Sequence, residues 1–290
     1  MTSKKQTLIR LGIFLLIAFG LTFGADFICI AVWGYEGWLS SPFGMIVTLT
    51  MFSPMLANIL TRIITKEGFC DLKLGFNFSG NMRYYATAYL LPVLFGVIAA
   101  VIVNTLHGNW RFEALSRLTF TEGFTAFMEM CVTPIFYYSF CCFGEEFGWR
   151  GYLNQKLEGL TGTAGAVIIG GIIWGLWHGV LVAYGYNFGS DHPVIGVALM
   201  CVSCVLLNAV MMWLTKRTDS VFPAVLLHTS LDMWTMSFIM ELMISGVSEE
   251  AIKKTTPLQS GILTMIIPMA FIGAMCFILL LRNKRDDKKI

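Results

Sequence analysis

Long apolar stretches of about 20 residues alternate along the chain with short polar segments. A helix of about 20 residues crosses the ~30 Å hydrocarbon core of a bilayer. The alternation typical of strands is absent, and a helix satisfies its own backbone groups inside lipid. The pattern therefore predicts eight membrane-spanning helices. Their predicted bounds are Leu11–Trp33, Pro42–Leu60, Tyr84–Leu106, Phe124–Phe143, Ala164–Tyr184, Pro193–Leu214, Ala224–Ile244 and Gly261–Leu281.

The composition extends this prediction to the whole chain. Of its 290 residues, 56% are apolar and only 13% are charged, and the mean hydropathy is +0.71. Soluble domains carry about 25% charged residues. Because the deficit runs over the full length, we expect one polytopic membrane domain over residues 1–290. The expected fold class is all-α, an eight-transmembrane-helix bundle with a polar intramembrane site.

The distribution of positive charge predicts the orientation in the membrane. With eight spans, sixteen of the twenty Lys and Arg residues fall on the side that holds both termini. Positive residues in short loops accumulate on the cytoplasmic side. We therefore expect both termini in the cytoplasm and a multi-pass protein of a plasma membrane, with a bacterial source. Because the positive charges follow the membrane topology, the net charge of +2 does not indicate a nucleic-acid partner, and none is expected.

Several ionisable residues interrupt the apolar stretches. Each costs about 3 kcal/mol or more at membrane depth, so it requires a partner or a function. Two Glu, two His, an Asp and an Arg in one bundle interior would form a site that activates water. We expect three stretches to bring them together. The residues are Glu145, Glu146 and Arg150 in GEEFGWR, His178 in IIWGLWHGVL, and His228 and Asp232 in VLLHTSLDMW.

Helical spacing predicts two polar pairs within these motifs. Glu146 and Arg150 are four residues apart on one face and can form an ion pair. Glu145 is rotated by about 100° and points into a different environment. His228 and Asp232 are also four apart, so the carboxylate can fix the imidazole tautomer. Without convergence, the first motif would be a helix end with solvated charges, and the second a polar pair that joins two helices.

A row of glycines predicts close helix packing around the fifth stretch. Gly171, Gly175 and Gly179 recur every four residues on one face, which lets another helix backbone approach closely. Trp174 and His178 lie on an adjacent face. We therefore expect His178 near a tight helix–helix contact rather than facing lipid.

Three further carboxylates lie in the outer halves of predicted spans. Asp26, Glu129 and Glu241 are expected to act as polar links between helices or to approach the membrane interface. The chain has no HExxH or GxSxG motif and no phosphate-binding loop, so the best-known zinc-helix and serine-hydrolase signals are missing.

Together, EEFGWR, WGLWH and HTSLD resemble the three motifs of the CAAX-protease and bacteriocin-processing family of intramembrane proteases, which includes type II CAAX prenyl endopeptidases. The resemblance covers residues 124–244, which we take as a family-like catalytic core. Two positions depart from the family pattern. Trp174 stands where Phe is more frequent, and Asp232 stands where Asn is frequent. An ionised Asp cannot donate a hydrogen bond as the amide does.

The resemblance implies hydrolysis of a peptide bond in a protein or peptide substrate at the membrane. Glu145 would be the general base, with His178 holding the same water, and His228 with Asp232 would stabilise the oxyanion. Glu146, Arg150 and Trp174 would support the site.

A competing mechanism uses zinc bound by Glu145, His178 and His228. We favour the metal-independent mechanism. The alternative function is a non-catalytic scaffold or a bacteriocin self-immunity protein, and the sequence does not indicate an oligomeric state.

Overall fold

The computed structural model describes residues 3–40, 48–107, 125, 133–233 and 255–286. Every regular element in these ranges is helical, which confirms the predicted all-α class. The helices are α1 (Lys4–Ser40), α2 (Ser53–Ile64), α3 (Met82–His107), α4 (Thr133–Gly148), a π-helical turn (Trp149–Leu153), α5 (Asn154–Trp177), α6 (Gly179–Ala183), α7 (Pro193–Thr218), α8 (Phe222–Met233), α9 (Pro257–Gly261), a second π-helical turn (Ile262–Ile266) and α10 (Ile267–Asp286).

The helix lengths and compositions are those of a multi-pass membrane protein. Five apolar helical runs among the described residues are long enough to cross a bilayer, and the shorter Thr48–Ile64 is also apolar. Each predicted span contains helical residues. The start of the predicted second span, most of the fourth and the end of the seventh lie outside the described residues, as do Glu129 and Glu241.

The fourth and fifth predicted spans are separated by a backbone break rather than by a loop. Helix α4, the first π-helical turn and the start of α5 run on to Thr161, and Gly162 leaves helical geometry at φ 76° and ψ 177°. Glycine takes this positive φ without steric cost. The helix therefore does not end at Phe143, where the predicted fourth span ends. It continues for about 24 Å beyond Glu145, at 1.5 Å per residue.

The glycine face of α5 packs against α7, as predicted, at two of its three positions. A Cβ built on Gly171 would lie 2.5 Å from Cα of Val205, and one on Gly175 would lie 2.5 Å from Cα of Cys201. Both contacts are with backbone, so only glycine fits. Gly179 is different, because it follows the break at His178 and a Cβ there meets nothing within 4 Å.

An aromatic cluster joins α1 to the first π-helical turn and to α5. The Phe14 ring packs edge-on against Trp149, with ring centres 5.7 Å apart, and stacks on Tyr152 at 5.3 Å. Trp149 in turn meets Trp177 edge-on at 5.8 Å. Phe14, Trp149 and Tyr152 are almost fully buried. This cluster fixes the turn that carries Arg150.

A network of ion pairs fastens the segment after α2 to the bundle, on the side predicted to be cytoplasmic. Arg62 Nη1 lies 2.6 Å from Asp71 Oδ1, and Lys156 Nζ lies 3.5 Å from Asp71 Oδ2. Glu67 contacts Lys156 and lies 3.3 Å from Arg10 Nε. The segment between α2 and α3 is thereby held against α1 and α5.

Candidate active site

The ion pair predicted between Glu146 and Arg150 is present at the end of α4. Arg150 Nη1 lies 2.8 Å from Glu146 Oε1, and both side chains are essentially excluded from solvent. A buried charge is tolerated when it is paired, so each residue requires the other. Arg150 belongs to the π-helical turn, a rare geometry that is frequent at functional sites.

His228 from α8 joins this pair. Its Nδ1 lies 2.9 Å from Glu146 Oε1, the same oxygen that Arg150 contacts. A carboxylate paired with arginine only accepts hydrogen bonds, so Nδ1 carries the proton and donates it to Glu146. Nε2 of His228 remains available to a ligand. Glu146, rather than the predicted Asp232, therefore sets the orientation of this imidazole.

Asp232 lies beside the other nitrogen of His228. Its Oδ2 is 3.9 Å from Nε2, an ion-pair distance that is too long for a hydrogen bond. The same oxygen accepts from the Cys142 thiol at 3.6 Å. Asp232 therefore contributes charge next to Nε2 without fixing the tautomer.

Glu145 points away from Glu146, as the helical spacing predicts. Its Oε2 accepts from Trp174 Nε1 at 2.8 Å and from Trp149 Nε1 at 3.4 Å. The residue is 2% exposed. Neighbouring carboxylates in one motif therefore have different partners: Glu146 has cations, and Glu145 has neutral indole donors. Such a difference suits two different chemical roles.

Trp174 lies at the centre of the site. Its ring meets His228 edge-on at 5.5 Å, and the guanidinium of Arg150 lies 4.0 Å from the ring centre, a cation–π contact. The ring centre of His178 is 5.9 Å away. One indole thus contacts residues from all three motifs. The structure thus brings the three motifs together, which the spacing alone left open.

His178 ends α5 and is held by its own helix. Nδ1 lies 2.9 Å from the backbone oxygen of Trp174. A carbonyl only accepts, so Nδ1 carries the proton, and in the neutral tautomer Nε2 is a hydrogen-bond acceptor. The adjacent Trp177 is anchored by hydrogen bonds from Nε1 to Thr22 at 2.8 Å and to Ser53 at 3.3 Å.

The predicted zinc ligands do not form a compact set in this geometry. Ligand atoms on a tetrahedral zinc at about 2.0–2.3 Å lie within about 4 Å of one another. In the described part of the chain, the residues whose ligand atoms come within 4.8 Å of one another are Cys142, His228 and Asp232. The predicted trio of Glu145, His178 and His228 does not meet this condition, so these positions do not fit a zinc ion.

Sequence reasoning missed two residues that contact the site, Cys142 and Trp149. Cys142 precedes Glu145 by three residues and Glu146 by four, and Trp149 follows Glu145 by four, so each lies about one helical turn from a motif glutamate. This spacing is visible in the sequence and could have indicated both residues. Asp26, in contrast, is fully buried, and among the described residues both its oxygens lack a hydrogen-bond partner. It is not the polar link that we expected.

Two comparisons with known proteins point to the family that the three motifs resemble. The family model described as type II CAAX prenyl endopeptidase Rce1-like matches residues 127–234, a range that holds every predicted site residue. A relative from Methanococcus maripaludis, named CAAX prenyl protease 2, is 27% identical over 198 residues. That alignment covers 65% of this chain and 72% of the relative.

Proposed function

We propose that the chain is an intramembrane endopeptidase of the CAAX-protease and bacteriocin-processing family, which its similarity to type II CAAX prenyl endopeptidases supports. It would hydrolyse a peptide bond in a membrane-associated protein or a leader peptide. We place it in a plasma membrane with both termini in the cytoplasm. The observation that supports this function best is the contact of one indole, Trp174, with Glu145, His178 and His228. A base, a second water ligand and an oxyanion donor thereby share one buried space.

In the proposed reaction, Glu145 is the general base. Its Oε2 is occupied by two indole donors, so Oε1 accepts a proton from the attacking water. The bare Nε2 of His178 accepts the second hydrogen bond of the same water and aims its oxygen at the substrate carbonyl. This arrangement requires Nδ1 of His178 to keep its proton, and the backbone oxygen of Trp174 holds that proton in place.

His228 stabilises the negative charge that develops on the carbonyl oxygen. With Nδ1 bound to Glu146, its protonated Nε2 donates to the oxyanion of the tetrahedral intermediate. Asp232, 3.9 Å from Nε2, favours the charged imidazole without occupying its donor. The C–N bond then breaks, and the proton held by Glu145 passes to the leaving amine, which restores the carboxylate.

Glu146 and Arg150 act as positioning residues. The guanidinium neutralises Glu146 and lies against the face of Trp174, so one cation fixes both the partner of His228 and the donor to Glu145. Preorganised donors of this kind cost no reorganisation when the reaction occurs. Loss of either residue would therefore disturb several catalytic groups together.

The test is a comparison of protein ends in membranes that contain the wild type or Glu145→Gln at equal abundance. We expect new termini with the wild type that are missing with Glu145→Gln, and these termini identify the substrate and its cleavage site. Asp191→Asn, a carboxylate-to-amide change at an exposed position, serves as the control and should match the wild type. Identical termini with the wild type and Glu145→Gln would overturn the proposal.

The metal-independent form of the mechanism has a separate test. Purified protein treated with a strong chelator and then dialysed should cleave the identified substrate at an unchanged rate. A rate that disappears after chelation and returns with added zinc would show that a metal ion activates the water, in place of Glu145 and the two histidines acting alone. The proposal that the protein is a protease would still stand.

A further inference from the structure

A cavity of about 180 Å³ lies beside the active site, between α5 and the end of α7. Three of its lining side chains are cationic, whereas Glu158 supplies the one carboxylate among them. The lining residues are Lys73, Arg150, Asn154, Gln155, Glu158, Met212, Thr215 and Lys216. The cavity therefore carries an excess of positive charge, and its volume exceeds that of several water molecules.

Buried donors of one lining residue lack partners within the described structure. They are Nε and Nη2 of Arg150. The side chain of Arg150 is 1% exposed, and only its Nη1 is used by Glu146. Buried donors nearly always find a hydrogen-bond acceptor. Two free guanidinium donors beside a cavity thus indicate that an acceptor belongs there.

The arrangement of the cations gives the cavity an inner end and a rim. Arg150 is enclosed, while the side chains of Lys73 and Lys216 are 25% and 41% exposed. Lys73 also contacts Asp219, and Lys216 Nζ lies 2.6 Å from Glu158 Oε1. Each ammonium has three donors, so these ion pairs leave donors for a ligand.

We propose that this cavity binds an oxyanion of the phosphate or carboxylate class. A guanidinium binds two oxygens of such a group through parallel hydrogen bonds, and lysines add charge. In this site, Nε and Nη2 of Arg150 hold the ligand at the inner end, and Lys73 and Lys216 hold it at the rim. The ligand and Glu146 thereby occupy opposite edges of one guanidinium. The site does not depend on the proposed proteolysis.

The test measures equilibrium binding of radiolabelled inorganic phosphate to the full chain in neutral detergent, at constant ionic strength. We expect saturable binding in the millimolar range. Lys216→Gln removes one charged donor and should weaken binding about tenfold. Glu158→Gln removes the opposing carboxylate and should strengthen it. Lys5→Gln, the same change as Lys216→Gln at an exposed position on α1, should leave the affinity unchanged.

Opposite responses of two neighbouring variants distinguish a built site from general attraction to a positive surface. No saturable phosphate binding, or equal affinities in Lys216→Gln, Glu158→Gln and Lys5→Gln, would overturn the proposal. Competition identifies the source of the ligand. Displacement of phosphate by micellar phosphatidic acid supports a lipid headgroup in the site, whereas displacement by acetate but not by the lipid supports a soluble anion.

Discussion

The indole Nε1 of Trp174 lies 2.8 Å from Oε2 of Glu145, which joins α5 to α4 at the proposed base. The face of the same ring lies 4.0 Å from the Arg150 guanidinium. Trp174 was expected to support the site, and the structure gives it two specific contacts there. It donates a hydrogen bond to one carboxylate motif residue and packs on the cation that neutralises the other.

This hydrogen bond can be removed without removing the aromatic ring. Trp174→Phe retains packing against His228 and Arg150 but leaves Glu145 without its shorter indole donor. A hydrogen bond to a charged group contributes about 1.5–3 kcal/mol. We expect kcat/KM to fall about tenfold or more, measured as the initial rate of cleavage of the identified substrate.

Trp213 provides the matched control for this change. Its Nε1 is buried and has no partner among the described residues, while its ring packs edge-on against Tyr84 at 5.4 Å. Trp213→Phe loses aromatic area but no hydrogen bond, so its kcat/KM should remain that of the wild type. An equal fall in both variants would attribute the effect to ring size and not to the bond with Glu145.

The two adjacent glutamates should respond differently to one chemical change. Glu145→Gln loses no ion pair, so the fold should keep its thermal midpoint while cleavage is abolished. Glu146→Gln leaves the buried Arg150 charge without a counter-ion, which should lower the free energy of unfolding by about 3 kcal/mol. Thermal unfolding of both variants in one detergent checks this. A midpoint for Glu145→Gln as low as that for Glu146→Gln would make Glu145 structural.

The sequence predicts the contacts within each motif better than it predicts how the helices that carry the motifs are arranged. Helical spacing alone predicts the Glu146–Arg150 pair and the separate environment of Glu145, because both follow from 100° per residue. It does not predict that the helix runs on past Arg150, since the apolar stretch of the predicted fourth span ends at Phe143. The break falls at Gly162, 17 residues after Glu145 and 16 residues before His178. Because the helix lengths on either side are nearly equal, α5 returns past Glu145 and Trp174 meets its carboxylate. Spacing within each motif cannot show this contact.

The sequence also does not predict which carboxylate binds Nδ1 of His228. Asp232 is four residues away on the same helix, so the local pattern favours it. Glu146 is 82 residues away, and only helix packing brings its carboxylate to Nδ1. Local pairs are readable from periodicity, whereas long-range pairs depend on how α4 and α8 meet.

Asp232 can be tested as a charge rather than as a tautomer anchor. Asp232→Asn keeps the shape and adds an amide donor next to the expected oxyanion, so kcat/KM should stay within about tenfold of the wild type. Asp232→Ala removes both charge and donor and should lose more activity. The order of the two rates decides the matter: equal losses in both variants would show that the carboxylate charge itself is required.

Asp71 should give the bundle a pH-dependent stability. Burial raises the pKa of Asp71, but the hydrogen bond from Arg62 and the charges of Arg62 and Lys156 outweigh it, and the pKa lies below its ordinary value. A lowered folded-state pKa adds stability above the unfolded value of about 3.9, and this is lost as pH falls through the folded value. Asp71→Asn should therefore unfold at lower temperature than the wild type at neutral pH.

The difference between Asp71→Asn and the wild type should shrink as the pH falls below about 4. Thermal unfolding of both proteins across a pH series measures it. A constant difference at every pH would mean that the side chain contributes through its shape and hydrogen bonding alone.

The glycine face of α5 offers a last test of how the site is positioned, because Gly171 and Gly175 flank Trp174 along the helix. A methyl group at either position would lie 2.5 Å from a backbone carbon of α7, which a side-chain rotation cannot relieve. Overpacking of this kind costs about 1–3 kcal/mol. We expect Gly171→Ala and Gly175→Ala to lower the thermal midpoint and, by shifting Trp174, to reduce kcat/KM.

Gly179→Ala is the matched control, since its methyl group meets nothing within 4 Å and its thermal midpoint should equal that of the wild type. If all three variants unfold at the same temperature, α5 and α7 can move apart without a loss of stability. Close packing of these helices would then not be what holds Trp174 against Glu145.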